Sequence, residues 1–168
     1  LLHLPKGIQH MQSVRTAKDT ATLAFSAMVF DDGDIYAQHP EQEAAWQRAK
    51  VYDQLFIRHW DQWQLPRQRT QLFALDLYRH QSGWTVRDKI RNLLQATRLE
   101  SPVGPLGDAS DFSLSRHYVA FTAKDPDAPP AWHTRQHIYL VPLDGHAPPK
   151  RISLAENRGW AGTPVISP

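Results

Sequence analysis

The feature that most constrains this chain is an internal repeat of strand-like segments at a long, uneven spacing. Residues 72–77 (LFALDL) align with residues 138–143 (IYLVPL), aromatic on aromatic at the second position. Each segment is preceded by a shorter one in which an aliphatic residue, Ala and Phe lead to a hydroxyl residue, at 23–26 and at 119–122. A β-meander that recurs in this way is typical of β-propeller blades. Two copies alone leave an ordinary β-sandwich open as the alternative, because all strands favour aliphatic and aromatic residues.

The rest of the pattern is that of an all-β chain with one helical excursion. The strand-like runs end at turn sequences, and no regular alternation of strands and helices points to a doubly wound α/β domain. Residues 41–58 contain no glycine or proline and are rich in helix formers, so we expect a helical insertion there. Residues about one turn apart on its apolar face are Ala45, Ala49, Tyr52 and Phe56.

We therefore predict a partial β-propeller of about two four-stranded blades. Residues 1–20 would end a preceding blade, residues 21–110 would form a blade that carries the helical insertion, and residues 111–168 would form the next, truncated blade. Propellers typically close with about four to eight blades. We accordingly expect the chain to be a piece of a longer protein.

Composition and motifs exclude several classes of function. The chain has no cysteine, and 19 lysines and arginines stand against 17 aspartates and glutamates, so neither a thiolate metal site nor an electrostatic nucleic-acid surface is expected. No apolar run approaches the roughly 20 residues of a membrane helix. His133 and His137 stand four apart, but no carboxylate lies between them, and the HExxH motif, phosphate-binding glycine loops and the Gly-x-Ser-x-Gly nucleophile motif are absent. We predict no metal, no cofactor, no nucleic-acid or membrane partner, and no catalytic residue in this chain.

Charged and aromatic residues are most concentrated in residues 52–63 (YDQLFIRHWDQW). Arg58, Trp60 and Asp61 are the candidate substrate-binding residues, because a charged side chain beside an indole face can hold the charged terminus of a ligand. The alternative is structural: a buried polar clasp, with Arg58 paired to Asp61, that joins the helix to the next strand. The sequence leaves both interpretations open.

Five blocks occur in a recognisable order: VYDQLFIRHWDQW, LFALDL, ESPVGPLGDASDFSLS, VAFTAK and IYLVPLDG. They resemble the N-terminal β-propeller of the dipeptidyl-peptidase V-like and acylaminoacyl-peptidase-like serine peptidases of the prolyl oligopeptidase family. The resemblance covers most of the chain from about residue 23 and implies a secreted or vacuolar serine exopeptidase of two domains. The propeller would admit only short peptides to a C-terminal α/β-hydrolase domain, whose Ser-Asp-His triad lies outside this chain.

One block departs from the family pattern. Residues 115–117 (SRH) stand where the family often has Ser-Pro-Asp-Gly, so the turn there lacks its proline and glycine and is expected to be wider.

Two alternatives to a peptidase remain. The first is a non-catalytic propeller of the TolB or protein-interaction type, whose loops bind a protein partner. The second is a solitary carbohydrate-binding sandwich that uses exposed Trp60 and Trp63.

Overall fold

The computed structural model describes residues 4–53, 55, 57–86, 88–129, 131–154 and 156–167. Their strands pair in antiparallel sheets, and a single α-helix lies outside these sheets in the described residues, which confirms the predicted all-β class. None of the described helices is long and apolar enough to cross a membrane. In chain order the elements are β1 Gln9–Ala17, β2 Thr20–Phe30, α1 Pro40–Arg48, β3 Arg58–His59, β4 Gln62–Trp63, β5 Gln68–His80, β6 Gly83–Val86, β7 Arg91–Asn92, a 3₁₀ turn Ala109–Asp111, β8 Phe112–Leu114, β9 Tyr118–Lys124, β10 Gln136–Pro142 and β11 Lys150–Arg151.

The first sheet is an antiparallel meander in the order β1-β2-β5-β6, and β7 also pairs with β5. Its long central strands, β2 and β5, pair from Thr20 opposite Tyr78 to Phe30 opposite Gln68. β1 pairs with β2 along most of its length. The predicted boundary between residues 20 and 21 therefore falls within β2, and β1 belongs to the first sheet.

The second sheet repeats this arrangement with shorter strands, in the order β8-β9-β10-β11. β9 and β10 are its central strands and pair from Tyr118 opposite Pro142 to Lys124 opposite Gln136. Among the described residues, neither sheet closes on itself.

An aromatic pair occupies the same place at the centre of each sheet. Phe25 lies directly opposite Phe73 in the first sheet, with ring centroids 5.8 Å apart, and Phe121 lies opposite Tyr139 in the second, with centroids 5.5 Å apart. These are the positions that align in the sequence repeat. Each such cross-strand pair stabilises its sheet by up to about 1 kcal/mol relative to a pair of alanines.

Most of the buried apolar side chains fall into two clusters. The larger cluster joins the sheets, because it contains Ala24, Leu72 and Ala74 of the first sheet together with strand residues of the second. The smaller cluster includes Phe25 and Phe73 and covers the opposite face of the first sheet. β2 and β5 are thus buried on both faces, which explains why their sequences read as nearly continuous apolar runs instead of strict alternation.

The predicted helix over 41–58 is present in its first half only. α1 spans Pro40–Arg48 and has no buried residue. Trp46 holds it on the first sheet by stacking on Phe30, with ring centroids 5.5 Å apart. The predicted apolar face is wrong because Ala45 and Ala49 are exposed, Tyr52 lies beyond the helix end, and Phe56 lies outside the described residues.

The turn at residues 115–117 is tight, not wide as expected. The N–H of Ser115 donates to the carbonyl of Tyr118 at 2.9 Å, and the Ser115 hydroxyl oxygen accepts the Tyr118 N–H at 3.0 Å. A serine side chain thus closes the turn that proline and glycine would otherwise shape.

A half-buried ion pair attaches β7 to the first sheet. The guanidinium of Arg91 donates two hydrogen bonds to Asp76, at 2.7 and 3.0 Å, and the Thr22 hydroxyl donates a third at 2.6 Å. Burial alone would raise the pKa of Asp76, but the hydrogen bonds from Arg91 and Thr22 outweigh it and hold that pKa below its usual range.

We expect Asp76→Asn to loosen β7 at neutral pH and to have a smaller effect in acid. A lowered carboxyl pKa stabilises the fold above the unfolded-state pKa of about 4, and that contribution disappears as the pH falls through the folded-state pKa. The loss at pH 7 should be roughly 1.5–3 kcal/mol. Amide hydrogen exchange of peptides covering β5 and β7 measures the loss of protection in the variant, relative to the wild type, at pH 7 and pH 3. Asp19→Asn, in the exposed β1–β2 turn, is the matched control, and an equal loss of protection at both pH values would contradict the prediction.

Candidate functional site

The connection between β2 and β5, residues 31–67, is the largest excursion from the sheets, and we call it the insertion. It contains α1 and a small hairpin in which β3 pairs with β4. The hairpin turns at Trp60 and Asp61. Trp60 has a φ of 54°, an unfavourable conformation for a bulky side chain, and its carbonyl accepts a hydrogen bond from Arg58 Nε. Strained positions of this kind concentrate at functional sites.

All three sequence-predicted site residues lie on this hairpin, and all three are exposed. Trp60 is 81% exposed, and its ring lies parallel to that of His59 with the ring centroids 6.0 Å apart. Arg58 stacks on Trp63, with its guanidinium carbon 5.4 Å from the ring centroid. Asp61 has no ion-pair partner in the described part of the chain. The structural alternative of a buried Arg58–Asp61 clasp is therefore wrong.

The segment after α1 supports the hairpin through Tyr52. Its hydroxyl donates to the Gln64 carbonyl at 2.7 Å, and its ring stacks on Trp63 with centroids 6.4 Å apart. The N–H of Gln64 in turn donates to the carbonyl of Ile57 at 3.0 Å. The hairpin is thus fixed to the rest of the insertion by both polar and aromatic contacts.

Asn92 holds the N-terminal end of the insertion, directly after β2. The Asn92 amide donates to the Gly33 carbonyl at 2.9 Å and to Gln71 Oε1 at 2.7 Å, and its oxygen accepts the N–H of Leu94 at 3.0 Å. Gly33 has a φ of +69°, and a Cβ there would lie 2.9 Å from the Asn92 amide nitrogen. Residue 33 is therefore glycine for two independent reasons, backbone conformation and close approach.

The two ends of the insertion are joined by ion pairs. Asp31, directly after β2, accepts hydrogen bonds from Arg67 at 3.1 Å and from Arg69 at 2.5 Å. Because these arginines lie just before and within the start of β5, the pairs close the base of the insertion.

An open cleft of about 580 Å³ lies between the insertion and the adjoining ends of β2, β5 and β9, and we call it the charged cleft. Tyr52 and Trp46 form part of its wall on the insertion side. The charged residues that line it are Asp31, Asp53, Arg67, Arg69, Glu100 and Lys124.

The carboxylates of the charged cleft differ in their surroundings. Asp31 is neutralised by Arg67 and Arg69. Burial raises the pKa of Glu100, while a backbone hydrogen bond from Thr70 and the nearby charges of Lys124 and Arg69 oppose that rise. Asp53 is exposed to the cleft and has no hydrogen bond or ion pair in the part of the chain that the structure describes. Asp53 is therefore the carboxylate best placed to meet a cationic ligand.

The sequence pointed to the segment 52–63, part of which forms a wall of the charged cleft, but it did not indicate the cleft itself. Arg58, Trp60 and Asp61 lie together on the hairpin, whereas none of them lines the charged cleft. Asp53 lies in the same twelve-residue cluster and was recognisable from it. Glu100 and Lys124 come from distant parts of the chain, and no local pattern marks them.

Sequence comparison places the chain beside a group of fungal proteins. A probable dipeptidyl-peptidase 5 of Aspergillus clavatus is 30% identical over 177 aligned positions, which cover 98% of this chain and 24% of that protein. The dipeptidyl-peptidase 5 of Arthroderma benhamiae is 34% identical over 146 positions, covering 81% of this chain and 20% of its own length. The corresponding protein of Aspergillus fumigatus is 28% identical over 98% of this chain. No family model and no solved structure matches the chain.

The chain is therefore an all-β, peptidase-related segment that spans about a quarter of the length of the curated relatives it matches. Those relatives are dipeptidyl-peptidase 5 proteins, and the chain is homologous to part of them, which confirms the resemblance found in the sequence.

We predict that the backbone at Trp60, not its ring, limits which residues are tolerated there. Asn adopts positive φ readily, whereas a β-branched residue does not. Trp60→Asn should leave the hairpin intact, and Trp60→Val should open it. Limited proteolysis measures the difference as faster cleavage within residues 58–63 of the Val variant alone. If both variants were cleaved equally and faster than the wild type, the Trp60 ring itself would be what holds the turn.

Proposed function

We propose that this chain is the propeller portion of a serine exopeptidase of the dipeptidyl-peptidase type, and that it gates access of short peptides to a hydrolase domain outside the chain. The observation that carries the proposal is the sequence relationship, across nearly the whole chain, to proteins named dipeptidyl-peptidase 5. Export to the cell exterior or to the vacuole is part of the same proposal.

The topology supports the propeller part of the proposal. The first sheet is a meander in the order β1-β2-β5-β6 with β7 added beside β5, the second is the four-stranded meander β8-β9-β10-β11, and one apolar cluster joins them. Successive propeller blades have this organisation. In this view the first blade runs from β1 to β7, with the insertion between its second and third strands, and the second runs from β8 to β11.

The distribution of exposed apolar side chains supports docking of a further domain. The connections β2–β5 and β9–β10 leave their sheets on the side of the charged cleft, because Asp31 and Lys124 both line it. Exposed large apolar residues in these connections are Tyr36, Val51, Leu55, Ile57, Trp60, Trp63, Leu65 and Trp132. The opposite turns, residues 17–20, 80–83, 115–118 and 143–150, expose only Tyr118 among such residues, and Trp84 directly after the second of them is also exposed. A surface of this kind is typical of an interface, here with the hydrolase domain that completes the enzyme.

Recognition of the peptide requires a carboxylate for its amino terminus. Asp61 is the candidate that the sequence predicts, and it lies at the hairpin turn with no ion-pair partner among the described residues. Asp53 is a second candidate, because it lines the charged cleft. An ammonium–carboxylate hydrogen bond contributes roughly 1.5–3 kcal/mol.

The competing function is a non-catalytic propeller of the TolB or protein-interaction type, in which the same exposed edge binds a protein partner. Activity assays on the protein translated from the complete reading frame distinguish the two functions. A serine exopeptidase of the dipeptidyl-peptidase type should release dipeptides from peptides with a free amino terminus and should not cleave acetylated peptides. A fluorophosphonate should label one serine and inactivate the enzyme. Absence of both release and labelling would overturn the proposal.

Two substitutions test the amine anchor in that enzyme. Asp61→Asn and Asp53→Asn remove a charge with little change of shape, so each should raise KM for dipeptidyl substrates, by about tenfold or more for the principal anchor. Steady-state kinetics with a dipeptidyl chromogenic substrate provides the measurement. Asp19→Asn, on the opposite edge, is the matched control. Unchanged kcat/KM in both variants would exclude Asp53 and Asp61 from amine recognition.

A further inference from the structure

The helix α1 lies beside the charged cleft without being packed into the fold. None of its residues is buried, and it makes no extensive contact with any strand in the described part of the chain. An open hollow of about 450 Å³ separates its C-terminal end from the β3–β4 hairpin. Its contribution to the wall of the charged cleft is Trp46. α1 therefore covers one side of the cleft while most of its own surface remains free.

A helix as short as α1 depends on contacts with the rest of the chain. Isolated helices shorter than about 12 residues are marginal in water. α1 has favourable local features, namely Pro40 in its first turn, Glu41 and Glu43 in the same turn, and Arg48 in its last turn. These features favour the helix only weakly, so its tertiary contacts decide whether it stays in place.

The contacts that hold α1 on the first sheet converge on the ring of Phe30, the last residue of β2. Phe30 is buried, and Trp46 stacks on it with ring centroids 5.5 Å apart. The ammonium nitrogen of Lys6, which precedes β1, lies 4.7 Å from the centroid of the same ring. Because both contacts use one ring, their loss is a single event.

Lys6 also bonds α1 directly. Its ammonium group donates a hydrogen bond to Glu43 Oε1 at 2.5 Å, and both side chains are partly exposed. Leu4, two residues earlier, is buried in the smaller apolar cluster, so the chain that carries Lys6 is anchored to the first sheet. A partly exposed ion pair of this kind is weak. It can hold the helix in place and still release it.

The chain enters α1 at a point that stays with the sheet. His39, directly before the helix, packs against Phe30 with ring centroids 4.0 Å apart, and its Nε2 lies 2.8 Å from Asp32 Oδ2. Neither contact involves a residue of α1. Rotation about the junction of His39 and Pro40 therefore moves the helix without disturbing the turn after β2.

We propose that α1 is a lid over the charged cleft, hinged at His39 and latched by the Lys6–Glu43 ion pair. Opening withdraws Trp46 from the cleft wall, and closure restores it. A ligand that contacts the closed wall binds the closed state more tightly and so shifts the lid toward closure. The role of the lid in holding a peptide rests on the peptidase function proposed above, whereas the hinge and the latch do not.

Amide hydrogen exchange of the enzyme from the complete reading frame measures opening of the lid. In the wild type, residues 41–50 should exchange faster than β2 and β5, because the exchange rate follows the population of the open state. Lys6→Ala should accelerate exchange of residues 41–50 about two- to fivefold, the effect of losing a partly exposed ion pair, with β2 and β5 unchanged. Lys18→Ala, at an exposed lysine of the β1–β2 turn, is the matched control and should have no effect there.

A double-mutant cycle identifies the latch. Glu43→Ala alone should accelerate exchange of residues 41–50 by about as much as Lys6→Ala, and the double variant should add little to either. Fully additive effects would mean that the two side chains act separately, and the latch would be wrong. Exchange of residues 41–50 as slow as that of β2 in the wild type would overturn the lid itself.

Ligand dependence connects the lid with the cleft. The probe is the dipeptide Ala-Ala, at a concentration that inhibits dipeptide release almost completely, and N-acetyl-Ala-Ala is its control. Ala-Ala should slow exchange of residues 41–50 at least about twofold, and the acetylated form should not.

The outcomes separate the lid from the function on which its role rests. If Ala-Ala inhibits the enzyme but leaves exchange of residues 41–50 unchanged, the lid is wrong and the peptidase function stands. If the enzyme releases no dipeptide from any peptide, the peptidase function is overturned and the role in holding a peptide with it, while the exchange rates of the Lys6 and Glu43 variants still decide the latch.

Discussion

The structure depends on the cross-strand aromatic pair at the centre of each sheet. Side chains alternate between the two faces of a strand, so a shift of one residue would turn every side chain of that strand to the wrong face. The Phe25–Phe73 pair fixes the register of β2 against β5, and this register places Phe30 opposite Gln68. The insertion therefore leaves and re-enters the sheet at adjacent points. Because Phe30 is also the residue on which Trp46 stacks, the same register positions α1 and the wall of the charged cleft.

The central strands could be predicted from the sequence because they are buried on both faces. Their apolar runs are short, contain aromatic residues, end at turn sequences and recur along the chain, which together favour strands over a buried helix. β1 could not be placed in the same way. Its segment, QHMQSVRTA, is mostly polar and exposed, and its pairing with β2 is set by backbone hydrogen bonds that leave no hydrophobic pattern. For this reason the predicted blade boundary between residues 20 and 21 separates β1 from the strand with which it pairs.

The insertion was harder to predict, since tertiary contacts decide its structure. Helix propensity continues past Arg48, yet α1 ends there and the chain turns toward the hairpin, where Tyr52 bonds the Gln64 carbonyl. The two-residue strands of the hairpin are too short to produce a periodic pattern. The chemistry-rich segment 52–63 was nevertheless recognised, because charged and aromatic residues at that density are unusual in a surface loop. What the sequence could not provide was the opposite wall of the cleft, where Glu100 and Lys124 lie.

The closed base of the insertion has an evolutionary consequence. Asn92 holds Gly33 at one end, and the Asp31 pairs with Arg67 and Arg69 tie that end to the other. Everything between these residues can change in length and sequence without disturbing the register of β2 and β5. The stretch 34–66 is thus a unit whose two ends are fixed by contacts in which none of its own residues takes part.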